Sequence, residues 1–298
     1  MIVAAVANVL NVFLDYAMIY GKFGFPEMGA FGAALATVLS RIVGSAIILL
    51  LLFKNSKISM SRKPARLSRW MTREIFSIGL PTSIENLGFS TGVLVFANIL
   101  FIAGPQAYAA HRIGIQVESL SFMPAWGMGV AITAMVGIYN GANERRKAIG
   151  SVRQGWLIAL LISSIIGTTI TIFPDLFISI FTNESSIVEA GRLPVRIIGL
   201  FQVVMGTDYA VTGALRGMGD TSFPMKSSLV AMWFIRLPVG FILVKYFNMG
   251  LLGAWIGMMS DMAFRTFLKF RRFYSGKWEK TADAIQSRSK NLIDNESN

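Results

Sequence analysis

Glu85 is the one ionisable group of an apolar stretch, residues 79–103, long enough to cross a bilayer. An acid at that depth costs roughly 2.5 kcal/mol or more to insert, so it normally faces a protein interior or a watery cavity. The chemistry open to it is reversible contact with something positively charged. The other reading is a fixed carboxylate bonded to neighbouring hydroxyls or to a base on another helix. Phe89, Gly92 and Phe96 follow it at helical spacing, with Ser83, Asn86 and Asn98 close by; they supply an aromatic and polar lining or ordinary helix packing. Asp208, between Thr207 and Tyr209, is the best partner for Glu85, with Gln202 a lesser member of the same site. A buried bond from Asp208 to Arg196, Arg236 or a tyrosine fits equally well. His111 and Glu118 lie two turns apart on one helix face, with Arg112 beside the histidine. Histidine titrates near neutral pH, so the pair suits a proton relay; the plainer reading is a His–Glu or Arg–Glu bond fixing two helices together.

One histidine, no cysteine and no H-E-x-x-H run leave an enzyme or a resident metal little to build on. The glycines between Arg216 and Thr221 imitate a phosphate cradle, but no strand precedes them and the G-x-G-x-x-G spacing is incomplete. A tight turn closed by Arg216 and Asp220 is expected there instead.

The elements that must carry these residues are membrane helices. The chain is 54% hydrophobic and 15% charged, with mean hydropathy +0.57, a composition that belongs in a bilayer. Apolar runs of spanning length recur near 1–20, 28–53, 74–103, 107–139, 154–181, 187–214, 224–246 and 249–270, which predicts an all-α bundle of eight crossings. Basic residues concentrate in 54–73, in 140–153 and after Phe264. By the positive-inside rule these are cytoplasmic, which puts both termini in the cytoplasm of a multi-pass plasma-membrane protein. The net charge of +12 therefore points to anionic lipid at the membrane face rather than to nucleic acid. Pro81, Pro124, Pro174, Pro194, Pro224 and Pro238 punctuate the crossings and permit kinks, and the polar tail is expected to be disordered.

A repeat runs through the pattern. Residues 28–33 (M-G-A-F-G-A) echo 249–254 (M-G-L-L-G-A) at an offset of 221, and the same offset sets Asp15 opposite Arg236. A structural ion pair or a matched capping role suits those two better than ligand contact. The repeat unit is then about six helices long, so the chain holds one whole unit and the last two helices of another.

Three segments carry a family resemblance. Asn11, Leu14, Asp15 and Tyr16, then Gly24, Pro26, Gly29, Gly32, Ala33, Ala34, Ala36 and Thr37, form N-x-x-L-D-Y followed by G-x-P-x-x-G-x-x-G-A-A-x-A-T. Residues 109–113 read A-A-H-R-I and residues 118–124 read E-S-L-S-F-M-P. Residues 213–224 fit G-x-L-R-G-x-G-D-T-x-x-P, followed by Trp233, Arg236 and Pro238. The sequence resembles the prokaryotic branch of the multidrug and toxin extrusion (MATE) family. That resemblance implies two six-helix lobes around a central cavity, and export of cationic or amphipathic drugs in exchange for Na⁺ or H⁺, with no other cofactor. It further implies that the chain supplies helices five to twelve, without the first four: 1–53 ends the N-terminal lobe, 54–73 is a cytoplasmic linker, 74–272 is the C-terminal lobe and 273–298 a tail. Glu85 matches the family's acid in the seventh helix, after the turn Gly79-Leu80-Pro81. Two other outcomes remain open: an inactive or partial fragment lacking its partner lobe, and a lipid-precursor flippase of the same superfamily. Flippases line the cavity with arginines, whereas the deepest charges here read as largely acidic, so the positions of Arg41, Arg112, Arg196 and Arg236 discriminate.

Overall fold

The computed structural model describes residues 2–54 and 69–279. Most of the 54–73 linker and the tail from residue 280 onward lie outside the described residues. Among the described residues the chain is helical throughout, without strands, and it divides into two compact units, Met1–Arg69 and Trp70–Asn298.

The first unit is a helical hairpin of α1 (Ile2–Ile19) and α2 (Gly29–Lys54). Gly21, at φ +62°, ends α1, and the Lys22 amide reaches back to the Ala17 carbonyl at 2.8 Å, the six-to-one closure of a Schellman motif. The Met28 amide then bonds the Met18 carbonyl at 2.9 Å and sends the chain into α2.

The second unit holds α3 (Arg69–Ile102), α4 (Pro105–Gly141), α5 (Arg145–Ile172), α6 (Pro174–Ser179) and α7 (Ser185–Gly217). After them come α8 (Ser222–Ala231), a π-helical turn at Met232–Arg236, α9 (Leu237–Lys245) and α10 (Gly250–Tyr274). α7 is the central post, packed by α4, α5, α6, α8 and α10. Small residues let the backbones close in, as membrane helix interfaces require. A Cβ added to Gly213 of α7 would sit 2.3 Å from the Gly129 carbonyl oxygen of α4, and one at Gly199 would sit 2.8 Å from the Gly167 oxygen of α5. Two apolar clusters occupy opposite ends of the unit. Phe96, Leu100, Val117, Ile198 and Trp255 anchor one, Ile132, Val136, Leu215 and Met218 the other, and between them lies only a small group of Ala125, Met205 and Met262.

Among the described residues, five helices are long and apolar enough to cross a membrane: Gly29–Phe53, Ile75–Ile102, Pro105–Gly141, Arg145–Ile172 and Ser222–Lys245. α7 and α10 are as long, at 33 and 25 residues, but carry more charge. Large apolar side chains such as Val9 (71% exposed) and Phe234 (74%) face outward, as they must against lipid.

Proline accounts for the departures from the predicted runs. The 154–181 run is two helices, because α5 stops at Ile172 and Pro174 starts α6. The 224–246 run contains the π turn just before Pro238. That proline cannot donate to the Phe234 carbonyl and its ring crowds it, and a widened turn relieves both problems. Pro81, Pro124 and Pro194 are accommodated inside helices. Residues 273–279 are not tail: Phe273 and Tyr274 belong to the end of α10, and Trp278 is buried, stacked on Phe273 with centroids 6.0 Å apart. The predicted repeat has a backbone counterpart, since Gly29 and Gly250 adopt φ +54° and +53° at the entries to α2 and α10.

Candidate functional site

Four stripes at helical spacing converge between the two apolar clusters. α3 contributes Glu85 and Phe89, α4 His111, Glu118 and Phe122, α7 Asp208, Thr212 and Arg216, and α10 Asp261, Arg265 and Lys269. They enclose two neighbouring cavities. One, of about 340 Å³, is lined by Glu85, Asn86, Phe89, Asp208, Arg216, Lys269 and others. The second, of about 420 Å³, is lined by Phe96, His111, Arg112, Glu118, Arg236 and a wall of methionine and phenylalanine. Phe89, Phe122, Tyr209 and Arg265 belong to both.

Nearly every acid in this interior has a basic partner. Arg216 Nη2 donates to Glu85 Oε2 at 2.6 Å, with the two side chains 31% and 13% exposed. Lys269 Nζ donates to Asp208 Oδ1 at 2.9 Å and the Thr266 hydroxyl to the same oxygen at 3.3 Å. Arg236 Nε donates to Asp261 Oδ2 at 2.7 Å, and its guanidinium lies 5.4 Å over the Phe89 ring and 5.8 Å over Phe96. Glu118 alone among the cavity acids has a carboxylate without a hydrogen bond or ion pair among the described residues. Burying such charges is tolerable only because they are paired or reached by a cavity.

Several expectations are corrected by these partners. Arg216 and Asp220 do not close a turn on each other: Arg216 goes to Glu85, and Asp220 pairs with Arg272 at 2.9 Å while accepting from the Phe223 amide at 3.4 Å. Asp208 is held by Lys269 and Thr266 rather than by Arg196, Arg236 or a tyrosine. Arg236 is held in a structural ion pair with Asp261, while Asp15 has a buried Oδ1 without a hydrogen-bond partner among the described residues. No His111–Glu118 bond forms. His111 Nδ1 accepts from Trp255 Nε1 at 3.0 Å, while both His111 and Glu118 line the second cavity. Gln202 is buried where α7 meets α5 and lines neither cavity. Gly92 is buried against Met232, and Asn98 spends its amide on the Leu94 carbonyl at 2.9 Å.

The interior is also not largely acidic. The first cavity has Glu85 and Asp208 against Arg216, Arg265 and Lys269, two negative and three positive charges. The second has Glu118 against Arg112, Arg236 and Arg265, one against three. The exposed Arg112 and the buried Arg236 thus border the second cavity, whereas Arg41 and Arg196 are exposed and border neither. Sequence reasoning missed Asp261, Arg265 and Lys269; their spacing of four, on a helix otherwise rich in glycine and methionine, was the available signal.

Fold and site together describe a polytopic helical membrane protein with a charged, cavity-bearing interior. The MatE family model matches residues 81–242. A probable multidrug resistance protein NorM of Thermotoga maritima is 54% identical over 293 residues, covering 98% of this chain and 63% of that protein. A probable NorM of Photorhabdus laumondii is 30% identical over 281 residues, covering 91% and 61%. Among solved structures, a MATE protein crystallised in the bent conformation superposes with TM-score 0.83 at 23% identity, over 95% of this chain and 62% of that one. An outward-facing multidrug resistance MATE transporter gives 0.84 at 22%, over 96% and 62%. The chain belongs to the MatE, or multidrug and toxin extrusion, family. It spans 63% and 61% of the two NorM relatives.

Proposed function

We propose that the chain works in a secondary active efflux transporter for small drug-like molecules, exchanging them for Na⁺ or H⁺. It lies in the plasma membrane with eight crossings and both termini cytoplasmic, residues 1–53 completing one lobe and 74–272 forming the other. Glu85 is the coupling acid, with Asn86 and Phe89 beside it and Asp208 across the same cavity. The observation that carries this reading is a carboxylate that borders an open cavity while held by Arg216 at 2.6 Å. A cation entering the cavity competes with a resident guanidinium, so the acid has two exchangeable partners, and such an element is what coupling requires. The names of the NorM relatives and the structural neighbours support the efflux assignment.

The test is ethidium efflux from cells expressing the chain, alone and extended upstream, with Glu85→Gln in each. Loss of efflux with normal membrane insertion is expected; undiminished efflux removes Glu85 from the mechanism. Lipid-precursor flipping is the second reading, and Arg112 and Arg236 at the second cavity favour it.

A further inference from the structure

The carboxylate of Glu118 borders the second cavity and touches no base among the described residues. The bases around that cavity are engaged elsewhere or turned outward. Arg236 Nε donates to Asp261 Oδ2 at 2.7 Å, Arg265 Nε approaches Asp208 Oδ2 at 3.5 Å, and Arg112 is exposed. His111, two turns before Glu118 on the same face of α4, supplies no charge either. Trp255 can only donate, so its bond to His111 Nδ1 leaves the ring neutral with its proton on Nε2. An acid at membrane depth without a contacting partner is costly, and the cost is recovered when a cation enters the cavity beside it.

The two cavities differ in what they accept. Beside Glu85 the first carries Asn86, Asp208, Thr212 and Ser228, and the Thr212 hydroxyl oxygen is buried there without a hydrogen bond among the described residues. Oxygen donors of that kind suit a small ion. The second cavity is walled by apolar, polarisable side chains, among them Phe96, Phe122, Met205 and Met262. Aromatic faces attract a cation through the ring quadrupole, and unbranched methionines adapt to bodies of different shape. Its volume of about 420 Å³ falls in the range of roughly 300–1,000 Å³ typical of small-molecule sites. One unpaired carboxylate in an apolar chamber is a recognition element for a bulky organic cation.

We propose that the second cavity seats the transported molecule, a lipophilic organic cation, with its positive nitrogen on Glu118 and its apolar body against the phenylalanine and methionine walls, while the coupling ion goes to Glu85 in the first. Substrate and ion then hold separate acids. They act on each other through the wall the cavities share, formed by Phe89, Phe122, Tyr209 and Arg265, rather than by displacing one another from a single carboxylate. This rests on the transporter reading above and adds to it the place of the substrate.

The experiment is a binding titration on the full chain in detergent, followed by probe fluorescence, with cationic ethidium and uncharged phenylnaphthylamine. Glu118→Gln should weaken ethidium binding by about tenfold or more while phenylnaphthylamine affinity stays within twofold of wild type. Glu118→Asp, which keeps the charge on a shorter stem, should fall between. A Glu118→Gln protein that binds ethidium within twofold of wild type overturns the inference. So does one that loses both probes equally, because the carboxylate then only holds helices together. The separation of the two acids is read on wild type and needs no variant to fold. With ionic strength held constant by KCl, the apparent Kd for ethidium should be unmoved by Na⁺ or rise to a plateau; a Kd that climbs in proportion to Na⁺ without limit marks one shared acid and refutes the proposal. Because binding is read without transport, a chain that holds ethidium on Glu118 yet exports nothing refutes the transporter reading alone. One that exports ethidium with Glu118 irrelevant to binding refutes the inference alone.

Discussion

Removing Arg216 tests the idea that Glu85 exchanges partners. Their contact is 2.6 Å long, with the carboxylate side chain 13% and the guanidinium 31% exposed. Fully exposed ion pairs contribute about 1 kcal/mol or less, while breaking a buried pair costs about 3–5 kcal/mol. This pair lies between, so about 1–3 kcal/mol of attraction opposes any cation that reaches the acid. Arg216→Gln removes that opposition, and the corresponding gain in cation affinity is roughly 5–150-fold. A hydrophobic carbodiimide labels a protonated carboxyl in a membrane protein, and bound Na⁺ blocks the reaction. Mass spectrometry of the purified chain should therefore find faster labelling of Glu85 in Arg216→Gln than in wild type, with protection at lower Na⁺ concentrations. Labelling and Na⁺ protection that both match wild type within twofold would mean that Arg216 does not guard the acid, and the exchange argument would fail.

Three further outcomes follow from packing and pairing. Asp261→Asn leaves the buried Arg236 charge without its partner and should destabilise the protein by about 3–5 kcal/mol, read as a lower melting temperature in detergent; Arg236→Met with Asp261→Leu should recover most of it. Gly213→Ala places a methyl 2.3 Å from the Gly129 carbonyl oxygen, so α4 and α7 must part, at about 1–3 kcal/mol, and a folded yield equal to wild type would contradict the close approach. Trp255→Phe removes the donor to His111 Nδ1 and should cost about 1 kcal/mol in thermal stability; the same loss should not appear in a protein already carrying His111→Phe.

The helices were legible because lipid imposes a simple rule on composition, and α2 and α4 begin and end close to the limits of the apolar runs 28–53 and 107–139. Glu85, His111, Glu118 and Asp208 could be singled out for the same reason: charge in hydrocarbon is conspicuous. Their partners could not be. Arg216 is 131 positions from Glu85, and Lys269 is 61 from Asp208; no periodicity links them, and only the packing of α3, α7 and α10 does. The expectation of an acidic interior failed on this point, since the acids were recognised by depth while Arg265 and Lys269 were assigned to a cytoplasmic end. Gln202 misled for the opposite reason: polarity at depth drew it into the site, but its helix face turns toward α5.

Gly29 and Gly250, separated by 221 positions, hold nearly the same left-handed torsion at the start of their helices. Most residues with a Cβ would cost about 1–2 kcal/mol there, which favours glycine at both positions. Met28, Gly32 and Ala33 around the first recur as Met249, Gly253 and Ala254 around the second, and the torsion recurs with them. The two helix entries therefore share a handedness of the backbone, which sets the direction in which each chain leaves its turn.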